Sequence, residues 1–294
     1  MKKVLCIVDS YRWALYNRAV ALKSVYIRHN FDIKHFEDLR RVRFENYDVV
    51  YSLNWPIHGY ISKKITDKRR RRYRLVTGIS SHIGHPSDRK FSALLSNYDA
   101  VGTSNKFLYN SFKKKFPKTN ILYTPFGVDC STFYPTTDPA SFSNVFGWVG
   151  NPGRPVKRFA EIKKCIKSFG GEVELVTATN KSKYSRLEMA KLYNRIGTLI
   201  CFSESEGTPN PVLEAAACGR NIISTKVGNV PELFRGISEL SPIDTRASLE
   251  VAMRRAIANP KSVASAGKQL AARTKQEWSW IDRARNFAPL LGIS

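Results

Sequence analysis

Two carboxylates in one short segment are the residues best placed to do chemistry in this chain. Glu206 and Glu214 are separated by Gly207, Thr208, Pro209, Asn210, Pro211, Val212 and Leu213. Asn210 is a good helix N-cap, Pro211 suits the first helical position and Gly219 follows the last turn, so the spacing predicts a short helix over 211–218. A helix start offers free amide donors and the positive end of a dipole, which together make an anion site, and Gly207 lets a phosphate-bearing ligand approach closely. Glu206 then stands just before the helix and Glu214 in its first turn, a place where the dipole alone also favours a carboxylate. Upstream, Lys157 and Arg158 form a basic pair at another expected helix start, close to Arg154.

Elements that would position these residues are legible along the whole chain. Short apolar or β-branched runs predict strands at 4–8, 32–36, 48–53, 74–79, 99–103 and 121–124, and again at 145–149, 172–178, 198–202 and 221–225. Between them lie helical patterns, such as Leu15, Ala19, Leu22 and Tyr26, or Leu108, Phe112 and Phe116 after a cap near Asn105. Phe159, Ile162, Ile166 and Phe169 mark a helix closed by Gly170 and Gly171. Further helices are expected over 187–196, 247–258 and 277–290. Such alternation predicts two doubly wound α/β domains with parallel sheets, whose ligands bind at the carboxyl ends of the strands, in a cleft between the domains. The polar, proline-containing stretch 134–139 reads as the linker, which gives domains 1–138 and 139–276, with a C-terminal helix over 277–294 returning to the first domain.

Composition bounds the function. The 294 residues are 43% hydrophobic and 24% charged, ordinary values for globular chains that leave no room for disorder. No apolar run approaches the roughly 20 residues that span a bilayer, and Asp9 interrupts the start before a signal-peptide core is complete, so a cytoplasmic location is expected. Five cysteines, Cys6, Cys130, Cys165, Cys201 and Cys218, lack any pairwise metal-ligand spacing and read as buried thiols. The unusual feature is charge. Lys and Arg number 48 against 24 Asp and Glu, a net +24, and the excess lies in both halves. It concentrates in 63–74, which contains Arg69, Arg70, Arg71 and Arg72, in 113–118 and in 157–164. A polyanion is the natural partner.

The Glu206 to Glu214 segment, followed by Ala215, Ala216, Ala217, Cys218 and Gly219 and then by Val227, Gly228, Asn229, Val230, Pro231 and Glu232, resembles family 4 of the nucleotide-sugar glycosyltransferases. A second block, from Ile121 through Pro125, Gly127 and Asp129 to Phe133, Tyr134 and Pro135, is similar to the family as well. So is a third, Gly147 to Gly150 with Arg154 and Lys157. The resemblance implies the GT-B fold and retaining, metal-independent transfer from a nucleotide diphosphate sugar, a UDP-sugar first, with no other cofactor. It implies that Glu206 contacts the donor sugar, that Glu214 holds the ribose hydroxyls, and that Arg154 and Lys157 bind the diphosphate, with Arg158 able to replace either because 151–153 disturb the usual spacing. Gly207, Asn210 and Pro211 complete the donor site. His82, with His85 second, matches a histidine that faces the reacting sugar. Cleaving the sugar–phosphate bond builds negative charge on the leaving diphosphate, so fixed cations aimed there should carry most of the catalysis.

The acceptor is coded less clearly. A hydroxymethylated pyrimidine in DNA is the expected partner, its phosphates held by Arg69, Arg70, Arg71 and Arg72 and a flipped base stacked on Tyr11, Trp13 or Trp55. Arg12 and Trp13, in the loop after the first strand, are the other acceptor candidates. The alternative is an anionic membrane surface bearing glycolipid or polysaccharide acceptors. A third reading is a non-catalytic sugar-nucleotide or nucleic-acid binding module. No obligate protein partner is implied.

Overall fold

The structure, a computed structural model, describes residues 1–11, 14–65, 71–81, 84–240 and 242–293. It divides into two compact units, one of residues 1–126 with 280–294 and one of residues 127–279.

The first unit is built on six parallel strands, β1 (Lys3–Val8), β2 (Asn30–His35), β3 (Val49–Ser52), β4 (Arg74–Ile79), β5 (Ala100–Thr103) and β6 (Ile121–Tyr123), in the order β2-β1-β3-β4-β5-β6. Val4 to Val8 are all buried, as a strand covered on both faces requires. One face, with Leu5, Ile7, Val50 and Leu75, packs on Phe91, Leu95, Leu108 and Phe112. The opposite face, with Val4, Cys6, Tyr51 and Val76, takes Leu15, Ala19 and Leu22 and, from the end of the chain, Phe287, Leu290 and Leu291. That return was expected as a single helix. It consists of two short ones, Trp280–Ala284 and Ala288–Leu291, and Arg74 fixes the second by donating from Nε to the Leu290 carbonyl at 2.8 Å.

The second unit has four parallel strands, β7 (Val145–Gly150), β8 (Glu174–Thr179), β9 (Thr198–Cys201) and β10 (Asn221–Ser224), in the order β10-β9-β7-β8. The ten strands among the described residues fall where the sequence pattern places them, with ends shifted by a residue or two. Connectivity reverses between β7 and β9, where Gly147 lies opposite Leu199. This is the switch point at which doubly wound sheets leave a crevice beyond their carboxyl ends.

Two features depart from the sequence expectation. The 134–139 stretch belongs wholly to the second unit, which begins at Gly127. Buried Arg220 donates to the carbonyls of Thr137 at 2.6 Å and Ile196 at 3.1 Å, and Asn194 donates to the Tyr134 carbonyl at 3.1 Å. Burial pushes the Arg220 guanidinium down to about 10, a cost offset by these bonds. The longest helix, Pro260–Glu277, was also not anticipated, because its Ala, Ser, Lys and Gln positions give only a faint apolar stripe. It crosses the helix Asn210–Ala217 so closely that a side chain at Gly267 would overlap the Gly219 carbonyl. Among the described residues no helix is long and apolar enough to cross a membrane.

Candidate active site

The loops that leave β7 and β9 are joined to each other. Glu204 donates its amide to the Val156 carbonyl at 2.8 Å, which brings the turn Pro155–Lys157 against the segment after β9. Lys157 Nζ then donates to Glu206 Oε1 at 2.5 Å, and Ser203 Oγ donates to the same oxygen at 2.7 Å. The two charged side chains are only 15% and 12% exposed, so their attraction is weakly screened and loss of either leaves the other poorly solvated. Ser203 is itself buried and anchored from the residue after β10, Thr225, whose Oγ1 donates to its carbonyl at 2.6 Å. Gly228, at φ +53°, closes the other side: a Cβ there would stand 2.8 Å from the Gly207 carbonyl. The Glu206–Gly207 turn therefore rests on backbone with no room for a side chain.

Arg158 follows Lys157 in the left-handed region, φ 50° and ψ 33°, and caps the helix Phe159–Lys167. Its Nε donates to Glu204 Oε1 at 3.0 Å and its guanidinium lies 5.2 Å from the Phe202 ring centre. Arg158 is thus already engaged, whereas Arg154, at the start of the same turn, is exposed.

The helix after Glu206 runs Asn210–Ala217, one residue earlier than expected, with Pro209 rather than Asn210 in the capping position and no side-chain cap. Asn210 donates its amide to the Thr208 carbonyl at 2.9 Å, Val212 donates to Pro209 at 2.8 Å, and Pro211 has no amide. The first-turn donors are therefore satisfied locally. An anion here would meet the dipole more than free amides. The same shift moves Glu214 out of the first turn, which removes dipole stabilisation as the reason for a carboxylate at this position.

Glu214 sits instead against the buried Tyr193, whose hydroxyl donates to Oε2 at 2.8 Å. Burial pushes the Glu214 carboxyl up from 4.5 to about 7, against the lowering influence of Tyr193 and, through space, Arg186. Ser203, Thr225 and Tyr193 were not singled out from the sequence. Ser203 lies two residues past β9 and Tyr193 ends the helix Arg186–Tyr193, and only the packing of separate segments shows what each hydroxyl holds.

Candidates in the first unit do not gather in this way. Arg12, Trp13, Arg69, Arg70 and His82 lie outside the described residues. His85 was the second choice for the sugar-facing histidine, but its ring packs among Trp55, Phe91 and Phe112 with Nε2 2.6 Å from the Ser81 carbonyl oxygen, and burial pushes its pKa down. Trp55 packs in the same cluster, edge-on to Phe91, which engages the ring expected to stack a base. Arg71 is a further correction. Its guanidinium is 5% exposed, pairs with Asp99 at 2.8 Å and donates to the Asn97 carbonyl at 2.7 Å, so it holds the fold together. Arg72 is exposed, and Tyr11 donates its hydroxyl to Asp38 at 2.9 Å. Among the described residues no three His, Cys, Asp or Glu side chains gather as metal ligands would.

Comparison with known structures gives the fold its name. HepE of Anabaena, solved with UDP and glucose, superposes with a TM-score of 0.78 at 12% identity, covering 99% of this chain and 100% of that one. Sucrose-phosphate synthase from Thermosynechococcus elongatus gives 0.74 at 13% identity, covering 99% and 98%. The lipopolysaccharide outer core galactosyltransferase WaaB gives 0.69 at 12% identity, covering 99% of each chain. Among curated proteins none matches the sequence. The chain has the GT-B fold, and residues 157–288, which include Lys157, Glu206 and Glu214, match the family model described as glycosyl transferase-like.

Proposed function

We propose that this protein is a retaining glycosyltransferase that takes a sugar from a nucleotide diphosphate sugar, a UDP-sugar first, and attaches it to a hydroxyl of a surface glycan or glycolipid. The observation that carries the reading is the Lys157–Glu206 pair at the switch point of the second sheet, with Glu214 on the helix that follows. The glycosyl transferase-like match over both glutamates supports it, as do the UDP-glucose complex of HepE and the lipopolysaccharide galactosyltransferase among the similar folds.

In the reaction, the anomeric carbon–oxygen bond breaks with its electron pair leaving on the diphosphate. The acceptor oxygen bonds to the anomeric carbon and gives up its proton to the departing phosphate or to solvent. Lys157 and Arg154 would neutralise the leaving group, and a donor aimed at such developing charge is typically worth roughly 3 kcal/mol. Glu206, held by Lys157 and Ser203 through Oε1, would present Oε2 to the donor sugar. Glu214 would accept from the ribose hydroxyls. Metal independence is part of this reading, since these cations would face the charge that a divalent ion would otherwise meet.

Hydroxymethylated DNA is the second reading, favoured by the +24 charge alone. An anionic membrane surface meets that charge equally well, and the engagement of Trp55 and Arg71 weakens the DNA case. Product mass spectrometry tests both. The purified protein is offered a panel of nucleotide sugars with lipopolysaccharide-core and lipid-linked glycan acceptors in one arm and hydroxymethylated DNA in the other. Sugar mass added only to the glycan supports the proposal. Addition only to DNA replaces its acceptor, and no transfer or donor hydrolysis in either arm favours a non-catalytic sugar-nucleotide binding module.

A further inference from the structure

We propose that Tyr193 is a positioning residue for the nucleotide: its hydroxyl holds Oε2 of Glu214 and leaves Oε1 to accept from the ribose. The inference rests on the donor reading above. Tyr193 is fully buried, its ring packs on Phe133 with centres 6.0 Å apart, and its hydroxyl reaches Glu214 at 2.8 Å. Oε1 makes no hydrogen bond among the described residues. A phenol locked in a core holds one carboxylate oxygen in a fixed direction, which a surface side chain or a water would not do.

The groups facing Glu214 are few. Arg186, at the start of the helix that ends in Tyr193, favours the ionised form through space while pairing with Asp129 at 3.1 Å. Cys218, at the end of the Glu214 helix, is held neutral by burial, which pushes its thiol up to about 12. The helix Pro260–Glu277 contributes Ala266 and Leu270 to the same core. Tyr193 is therefore the direct hydrogen-bond donor that keeps the carboxylate ionised against burial. A protonated Glu214 would compete with the ribose hydroxyls as a donor, so affinity should climb as pH rises through about 7 and then level off.

UDP-glucose is the probe, because its bridging diphosphate carries no proton that titrates near neutrality. Calorimetric titration from pH 6 to pH 9 compares the native protein with Tyr193→Phe and Glu214→Gln. Below the midpoint the native protein should lose affinity about tenfold per pH unit. Tyr193→Phe, which removes only the hydroxyl, should move that midpoint upward by about one unit while thermal unfolding stays cooperative. Glu214→Gln should bind weakly with no pH dependence across the same range. A Tyr193→Phe profile that overlays the native one, with Glu214→Gln weak and flat, overturns the role of Tyr193 alone. Native-like binding by Glu214→Gln overturns the ribose assignment and the inference with it.

Discussion

The two candidate site glutamates of the second unit, Glu206 and Glu214, stand in opposite environments. Glu206 is paired with a cation, and a hydroxyl shares the same oxygen, so its negative charge is matched within the protein before any ligand arrives. Glu214 is half-buried against a neutral phenol, with no cation in contact among the described residues, and burial drives its pKa up to about 7. One carboxylate is held in register with a lysine. The other gains its charge only when pH or a bound partner makes that favourable. The difference suits a division of work in which the first meets the reacting sugar and the second grips the nucleotide.

The sharpest test of the division is Glu206→Gln, which should lower turnover by roughly 10² to 10³ with donor affinity little changed; single-turnover kinetics would expose the error if turnover stayed near normal. Lys157→Met should cost a comparable factor, and the double variant should cost little more than the worse single one, because the pair acts as a unit. Fully additive losses in that cycle would show two independent roles. Glu214→Gln should weaken donor binding by about tenfold or more at pH 8 while turnover at saturating donor survives. The same substitution should alter stability. With its folded pKa raised from 4.5 to about 7, Glu214 contributes stability that is complete below 4.5 and lost as pH rises through 7, up to roughly 3 kcal/mol. Thermal unfolding of Glu214→Gln should lack that decline, and parallel curves for the two proteins would remove the buried carboxyl from the account. The smallest effect is expected for Ser203→Ala, about a fivefold loss of turnover from a less firmly held Glu206, with UDP-glucose affinity intact. Threonine at 203 should restore most of it.

The legible parts of this protein were the local ones. The β1, β3 and β9 runs announce themselves because strands buried on both faces must be largely apolar, and the turn around Glu206 announces itself through Gly207, Pro209 and Pro211. What stayed hidden depends on distant segments meeting. Arg71 in a run of basic residues looks like a solvated face until Asp99 is placed beside it. Residues 134–139 look like a linker until Arg220 reaches Thr137. Tyr193 and Ser203 look like an ordinary helix end and an ordinary loop hydroxyl, and the helix Pro260–Glu277 packs through small residues that leave little apolar signal.

Arg158 shows what such a site asks of its backbone. A left-handed conformation in a residue with a Cβ costs roughly 1 to 2 kcal/mol, and here it is met by the contacts to Glu204 and Phe202. Glycine at 158 would relax the bend but release the side chain that braces the turn bearing Lys157. Anyone breeding a hardier version of this protein would therefore gain little heat tolerance at 158 while output falls, and would do better to leave that residue alone.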